Sequence, residues 1–256
     1  MIHRIFNLLR HWKEAKSAFS TLSYLYDPKG GEMDALGGLT DEELKAVCAW
    51  ATEEMGMTVV EVGTLFGLTA RELAWQVVGG RVIAVDNFSW NPFGLPSKVH
   101  ENFTRKILRG TGVEIVNCSS EDWRRQVKGN IDMVFFDASH RYEDVKAECE
   151  WAKAVGIKYI CGHDYGNPNP RFGVTRAVDE VFGKENVEVV GMCWRVKGGV
   201  VSGGVVSGGV VSGGVASGGV ASGGVVSGGV ASGGVVSGGV VSGGVVSGGV
   251  VSGGVE

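Results

Sequence analysis

Along residues 39–197, short apolar runs alternate with longer stretches whose apolar positions recur every three or four residues. The runs "MTVVEVG" (57–63), "RVIAVDNF" (81–88), "VEIVNC" (113–118), "IDMVFFD" (131–137) and "KYICGHD" (158–164) are rich in Val and Ile and too short for helices. They predict five buried strands. The intervening pattern predicts helices across about 69–78, 97–109 and 142–154, and "VTRAVDEVF" predicts one more after a Pro/Asn/Gly loop at 166–173. "VEVVG" and "MCWRVK" then read as a terminal antiparallel pair, ending near Lys197. Strands alternating with amphipathic helices specify an α/β fold: a Rossmann-like, doubly wound, mostly parallel sheet covered on both faces.

Different patterns flank this domain. The opening "MIHRIFNLLRHW" puts Ile2, Ile5, Phe6, Leu9 and Trp12 on one helical face. Residues 1–38 are therefore expected to form a helical segment that packs on its own domain or on a second subunit, a homo-oligomer. Lying on a membrane surface is the alternative. "LTDEELKAVCAWA" carries a capping box, Thr40 with Glu43, flanked by Leu39 and Leu44 as a hydrophobic staple, so a helix should start at Asp41. From Gly198 to the end of the chain, the low-complexity pentapeptide Val-(Val/Ala)-Ser-Gly-Gly takes over, eleven times across 200–254.

A period of five matches neither 2 nor 3.6, and the repeat has no large side chain to bury. The expectation is a flexible, weakly sticky tail on which catalysis does not depend. A stacked β-coil using each repeat as one side is the alternative.

The charge of residues 1–197 is about −3 (24 basic less 27 acidic), which gives no reason to expect a nucleic-acid partner. Cys48, Cys118, Cys149, Cys161 and Cys193 are odd in number and widely spaced, with no C-x-x-C pair, which points to reduced thiols and a cytoplasmic setting. No run approaches the roughly 18 apolar residues of a membrane span, so stable membrane insertion is not expected.

In doubly wound sheets ligands sit beyond the carboxyl ends of the strands. The first end reads Glu61-Val62-Gly63-Thr64-Leu65-Phe66-Gly67, a turn that lets backbone approach a ligand but lacks the G-x-G-x-x-G dinucleotide fingerprint. The second end offers Asp86, placed to accept hydrogen bonds from ribose hydroxyls or to serve as a strand-end turn residue. The third, Ser119-Ser120-Glu121, suits an adenine edge or a helix N-cap equally. Asp137 closes the fourth strand and His163-Asp164 the fifth. Adjacent parallel strands lie roughly 5 Å apart, so these three can converge on one divalent cation, Mg²⁺ or Mn²⁺ or another first-row metal. His140, three residues past Asp137, is a candidate base for a hydroxyl proton, or else a cap for the helix starting near Tyr142. Tyr165, Asn167, Asn169 and Arg171 follow in a loop that suits an acceptor's hydroxyls or plain solvent.

The segments "EVGTLFGLT", "GRVIAVDNF", "DMVFFDASHRYEDVKAECEWAK", "GHDYG" and "GVTRAVDEVF" together resemble the class I S-adenosylmethionine-dependent methyltransferases, and more narrowly their small-molecule and sugar O-methyltransferase branch, over about residues 55–197. The resemblance implies a Rossmann-like sheet with a reversed last strand. It implies S-adenosylmethionine bound by Glu61, Gly63, Thr64, Gly67, Asp86, Ser120 and Glu121. It also implies Asp137, His163 and Asp164 as ligands of Mg²⁺ or Mn²⁺, and Asp137 and His140 as catalytic groups acting on a small-molecule acceptor, such as a sugar hydroxyl. Two rivals stand beside it: a nicotinamide-dependent oxidoreductase on a similar sheet, and a non-catalytic protein of this fold whose tail mediates association.

Overall fold

The computed structural model describes residues 39–91 and 95–197 and, of the repeat, the backbone of its strands; the helix expected at the start of the chain lies outside these residues. The elements are α1 (Asp41–Trp50), β1 (Thr58–Val62), α2 (Leu68–Gln76), β2 (Arg81–Asp86), α3 (Ser97–Ile107), β3 (Glu114–Asn117), α4 (Ser120–Gln126), β4 (Met133–Phe136), α5 (Tyr142–Val155), β5 (Tyr159–Gly162), α6 (Val174–Phe182), β6 (Val187–Val190) and β7 (Cys193–Val196). The seven strands form one sheet in the order β3-β2-β1-β4-β5-β7-β6. The β2–β3 and β4–β5 pairs are parallel, and β7 runs antiparallel to both its neighbours. This is the Rossmann-like sheet that the alternation of patterns predicts.

The chain makes two compact units, one of Glu61–Gln126 with the segment ending at Gly56, the other of Met57–Val60 with everything from Val127 onward. In the first, α1 begins at Asp41 as its capping box requires. The Thr40 amide donates to Glu43 Oε2 at 2.8 Å and the Glu43 amide to Thr40 Oγ1 at 3.3 Å. This satisfies donors that a helix start otherwise leaves unpaired. A small core of Phe66 and Leu95, with Val99, Phe103 and Ile107 of α3 against it, supports the loop that follows β1. Helix α4 follows the N-cap alternative read at Ser119-Ser120-Glu121. Ser119 starts it, its Oγ accepting from the Asp122 amide at 3.0 Å and donating to Asp122 Oδ2 at 2.7 Å.

In the second unit every residue of β4 is buried, as the unbroken run "MVFF" demands of a strand covered on both faces. Phe136 pairs with Gly162 as the last matched positions of β4 and β5. The next residues, Asp137 and His163, therefore leave the sheet side by side. Gly162 is a packing requirement, because a Cβ there would lie 2.6 Å from the Phe136 carbonyl oxygen and 2.9 Å from the Trp194 indole.

The repeat forms strands β8 to β18, from Val200–Ser202 to Val250–Ser252, in three parallel sheets. Each strand pairs fifteen residues along, as in Val210 with Val225 and Val225 with Val240. Three pentapeptides thus make one turn of a coil, so these strands follow the stacked-coil alternative and not an extension without regular structure. The period of five clashes with a period of 2 only within one long strand. Here a new strand of two or three residues starts with every repeat, so in the backbone register Val210 stands opposite Val225 and Ser212 opposite Ser227.

Candidate active site

The loop after β1 is held from several sides. Gly63 has φ 96° and donates its N–H to the Val85 carbonyl at 2.8 Å. Gly67, at φ 80°, donates to the Thr64 carbonyl at 2.7 Å, and positive φ at that turn is cheap only for glycine. The buried Thr64 hydroxyl donates to the buried Glu61 carboxylate. Asp86 does more than close β2. Its Oδ2 accepts from the Leu65 amide at 2.9 Å and its Oδ1 from the Phe88 amide at 2.6 Å, so one carboxylate ties the first strand-end loop to the second. Burial pushes this carboxyl above its usual range, opposed by the two amides and by His100.

Two residues that sequence reasoning passed over complete this loop. His100 Nε2 lies 2.9 Å from the Leu65 carbonyl oxygen and Thr104 Oγ1 donates to the same oxygen at 2.7 Å. Both are fully buried on α3, and the His100 ring meets Phe88 edge-on at 5.2 Å. Burial lowers the His100 pKa, against the pull of Asp86, so the ring is a neutral donor. A signal was available: His100 and Thr104 are i and i+4 on the apolar face of an amphipathic helix, where a polar pair needs a partner. Ser120 and Glu121 sit in the first turn of α4, with Glu121 paired to Arg125 on the exposed face.

The second unit gathers the other predicted residues. His140 Nε2 lies 2.9 Å from Asp164 Oδ2 and 3.9 Å from Asp137 Oδ1. His163 Nδ1 is 3.6 Å from Asp137 Oδ1 and 3.7 Å from Asp164 Oδ2. All four predicted residues therefore converge. The three that can each offer one ligand atom, all within 4.8 Å of one another, are Asp137, His140 and Asp164. His163, which the sequence reading placed in the ligand set, lies beside them with its Nδ1 within 3.7 Å of both carboxylates.

The helix-capping alternative for His140 does not describe its ring, which faces Asp164 while Ser139 Oγ donates to Asp144 Oδ2 at 2.7 Å. Phe172 stacks on that ring with centroids 4.1 Å apart and planes 18° from parallel. Burial alone would lower the His140 pKa, but hydrogen bonds to and the charges of Asp137 and Asp164 outweigh it and push it up to about 9. Burial would raise the Asp164 pKa, and the His140 and His163 imidazoles with Asn167 hold it below its usual value instead.

Asp164 has φ 63°, an uncommon left-handed conformation for a non-glycine residue, and Asn167 Nδ2 donates to its Oδ1 at 2.5 Å. Asn167 and Asn169 are otherwise used in turns, accepting from the Asn169 and Arg171 amides, and Tyr165 donates to Asp179 at 2.7 Å. Of the four loop residues considered for the acceptor, only Arg171 has no side-chain partner among the described residues.

Residues 60–157 match the family described as "Methyltransferase domain". That stretch is a methyltransferase domain, the class of domain that the sequence resembles. Solved structures are similar to the chain at low identity. One, provisionally assigned as a caffeoyl-CoA O-methyltransferase from Staphylococcus aureus, is 11% identical at a TM-score of 0.50, covering 77% of this chain and 98% of its own. An O-methyltransferase from Bacillus cereus, solved with S-adenosylhomocysteine, is 18% identical at 0.47, covering 72% and 90%. The Streptomyces achromogenes O-methyltransferase TomG, involved in tomaymycin synthesis and solved with S-adenosylmethionine, is 17% identical at 0.47, covering 62% and 81%. No curated protein matches the chain. Among the described residues, no helix is long and apolar enough to cross a membrane.

Proposed function

We propose that the chain is an O-methyltransferase, moving the methyl group of S-adenosylmethionine to a hydroxyl of a small acceptor. The reading rests on one observation: two carboxylates and an imidazole converge at the carboxyl ends of β4 and β5, with a second imidazole beside them. In the reaction an acceptor oxygen attacks the methyl carbon, the carbon–sulfur bond breaks, the sulfonium becomes a neutral thioether, and the hydroxyl proton must leave. The protein need do little covalent work beyond placing the two reactants and taking that proton.

The loop of Glu61, Gly63, Thr64 and Gly67, with Asp86 and the start of α4 at Ser120 and Glu121, would hold the methyl donor, as the family resemblance implies. At neutral pH His140 is an imidazolium between Asp164 and Asp137, so its raised pKa makes it a poor base in that state. Asp137 is the more open carboxylate, 17% exposed against 9% for Asp164, and is the proton acceptor. A carboxylate suffices because the oxygen becomes strongly acidic as the methyl group arrives.

The donor set also fits a divalent cation. Asp137, Asp164 and His163 would hold it, joined by His140 once that ring gives up its proton, and imidazole ligands favour Mn²⁺ or another first-row metal over Mg²⁺. When bound, such a cation lowers the pKa of an acceptor hydroxyl.

Isothermal titration of the full chain with S-adenosylmethionine, S-adenosylhomocysteine and NAD, with and without Mg²⁺ or Mn²⁺, tests the reading. Both adenosyl ligands should bind and NAD should not. If neither binds at millimolar concentration, the reading is wrong. Asp164→Ala should remove any cation dependence of turnover, and unchanged dependence would remove the proposed metal site.

A further inference from the structure

A cavity of about 380 Å³ opens in the second unit, within the range of small-ligand pockets. Its lining is unusual for its charge: Arg141, Arg171 and Arg176 face it with a single carboxylate, Glu143, and the rings of Tyr142 and Phe172 complete the wall. Phe172 also stacks on His140, so one aromatic ring separates this cavity from the Asp137–His140–Asp164 cluster. The wall is firmly built. The Gly173 amide donates to the His140 carbonyl at 2.7 Å, and a Cβ on Gly173 would lie 2.4 Å from the Tyr142 Cβ, so the loop is pressed onto the start of α5. Tyr142 is fixed in turn by its hydroxyl on Glu180, and the Arg176 guanidinium lies 4.1 Å over its ring.

The three arginines are compensated unequally. Arg141 has Asp144 at 3.8 Å, a loose and exposed pair. Arg176 feels Glu180, which is already engaged by Lys146 and Tyr142. Arg171 has no ion-pair partner among the described residues. Like charges gathered around one cavity repel each other, and an anion between them converts that repulsion into charge-assisted hydrogen bonds, for which the guanidinium fork is well shaped.

We propose that this cavity is the acceptor's anion subsite: the molecule methylated carries a carboxylate or phosphate that binds Arg171 and Arg176, with Arg141 at the rim, while its hydroxyl reaches the cluster across Phe172. This deepens the O-methyltransferase reading and rests on it. It narrows the acceptor from any small hydroxyl compound to a hydroxy acid or a phosphorylated alcohol or sugar.

The test uses two matched pairs of probes on the full chain: 3,4-dihydroxybenzoate against catechol, and glucose 6-phosphate against glucose. Binding is measured by titration calorimetry at low and at high salt. At least one anionic probe should bind about tenfold or more tighter than its neutral twin, with the preference shrinking as salt screens it. The pair that shows the preference identifies the carboxylate or the phosphate as the anion. Arg171→Gln, which removes a side chain with no ion pair or hydrogen bond among the described residues, should reduce the preference several-fold, and Arg171→Gln with Arg176→Gln should abolish it.

S-adenosylhomocysteine binding is measured in the same samples. A variant that keeps it is folded, so its lost preference belongs to the subsite. Equal binding of both twins in both pairs, or a preference that survives in the double variant, overturns the subsite. A wild-type chain that discriminates the anions yet fails to bind S-adenosylhomocysteine overturns the methyltransferase chemistry and leaves the anion site standing.

Discussion

Gly162→Ala is the substitution whose effect the packing defines most sharply. The new methyl group would fall 2.6 Å from the Phe136 carbonyl oxygen and 2.9 Å from Cε2 and Cζ2 of Trp194. Neither neighbour can yield easily, since Phe136 is in the β4 ladder and Trp194 is wholly buried. Forcing one methyl into such a site costs about 1–3 kcal/mol. Trp194 also donates its Nε1–H to the His163 carbonyl at 3.2 Å. If the indole moves, that bond weakens and adds about 0.5–1.5 kcal/mol.

A total near 3 kcal/mol should lower the melting temperature by roughly 6–12 °C for a domain of this size. Calorimetry and urea unfolding of the full chain measure it. Trp194→Phe removes the ring atoms that clash, so in the Gly162→Ala background it should cost less than it costs alone, a favourable coupling in a double-mutant cycle. A shift below about 2 °C, or strictly additive effects, would show that Trp194 has room and that the steric reasoning is wrong.

Two further outcomes follow from the site. Asp86→Ala leaves the Leu65 and Phe88 amides without their acceptor, which should cost about 2–3 kcal/mol in urea unfolding and weaken S-adenosylhomocysteine at least about tenfold; unaltered affinity would detach this loop from cofactor binding. The His140 pKa rises on folding from an ordinary 6.5 to about 9, so its contribution to stability is complete below about pH 6.5 and disappears as pH rises through about 9. The difference in urea midpoint between wild type and His140→Gln should therefore shrink over that interval, and a difference that is flat or growing would refute the imidazolium between two carboxylates.

The path to the site shows where sequence reading succeeds. Asp137 and His163-Asp164 were visible because an apolar run must stop where a strand leaves the core, and the parallel register then sets those ends side by side. The division of labour was not visible. Strand-end position and the family resemblance put His163 in the ligand set and made His140 a separate base. The chain direction after Asp137, fixed by Phe172 stacking and by the Gly173–His140 backbone bond, turns the His140 ring onto Asp164, so both imidazoles share the two carboxylates. His100 and Thr104 went unnoticed because their partner, the Leu65 carbonyl, is distant in sequence.

Local chemistry by itself determined the elements: the capping box that starts α1, the Val- and Ile-rich runs that become strands, and the positions of the polar strand ends. These depend on propensities and periods that act over a few residues. Only the tertiary structure decided what involves long-range neighbours: the shared hold of Asp86 on two loops, the surroundings of the His140 ring, and the meeting of Arg141, just before α5, with Arg176 on α6 and Arg171 from the loop preceding α6 around one cavity. The fifteen-residue register of the repeat belongs with them, since a five-residue period cannot say how many repeats make a turn. Electrostatic and packing energies depend on distance in space, and that distance is set by the fold.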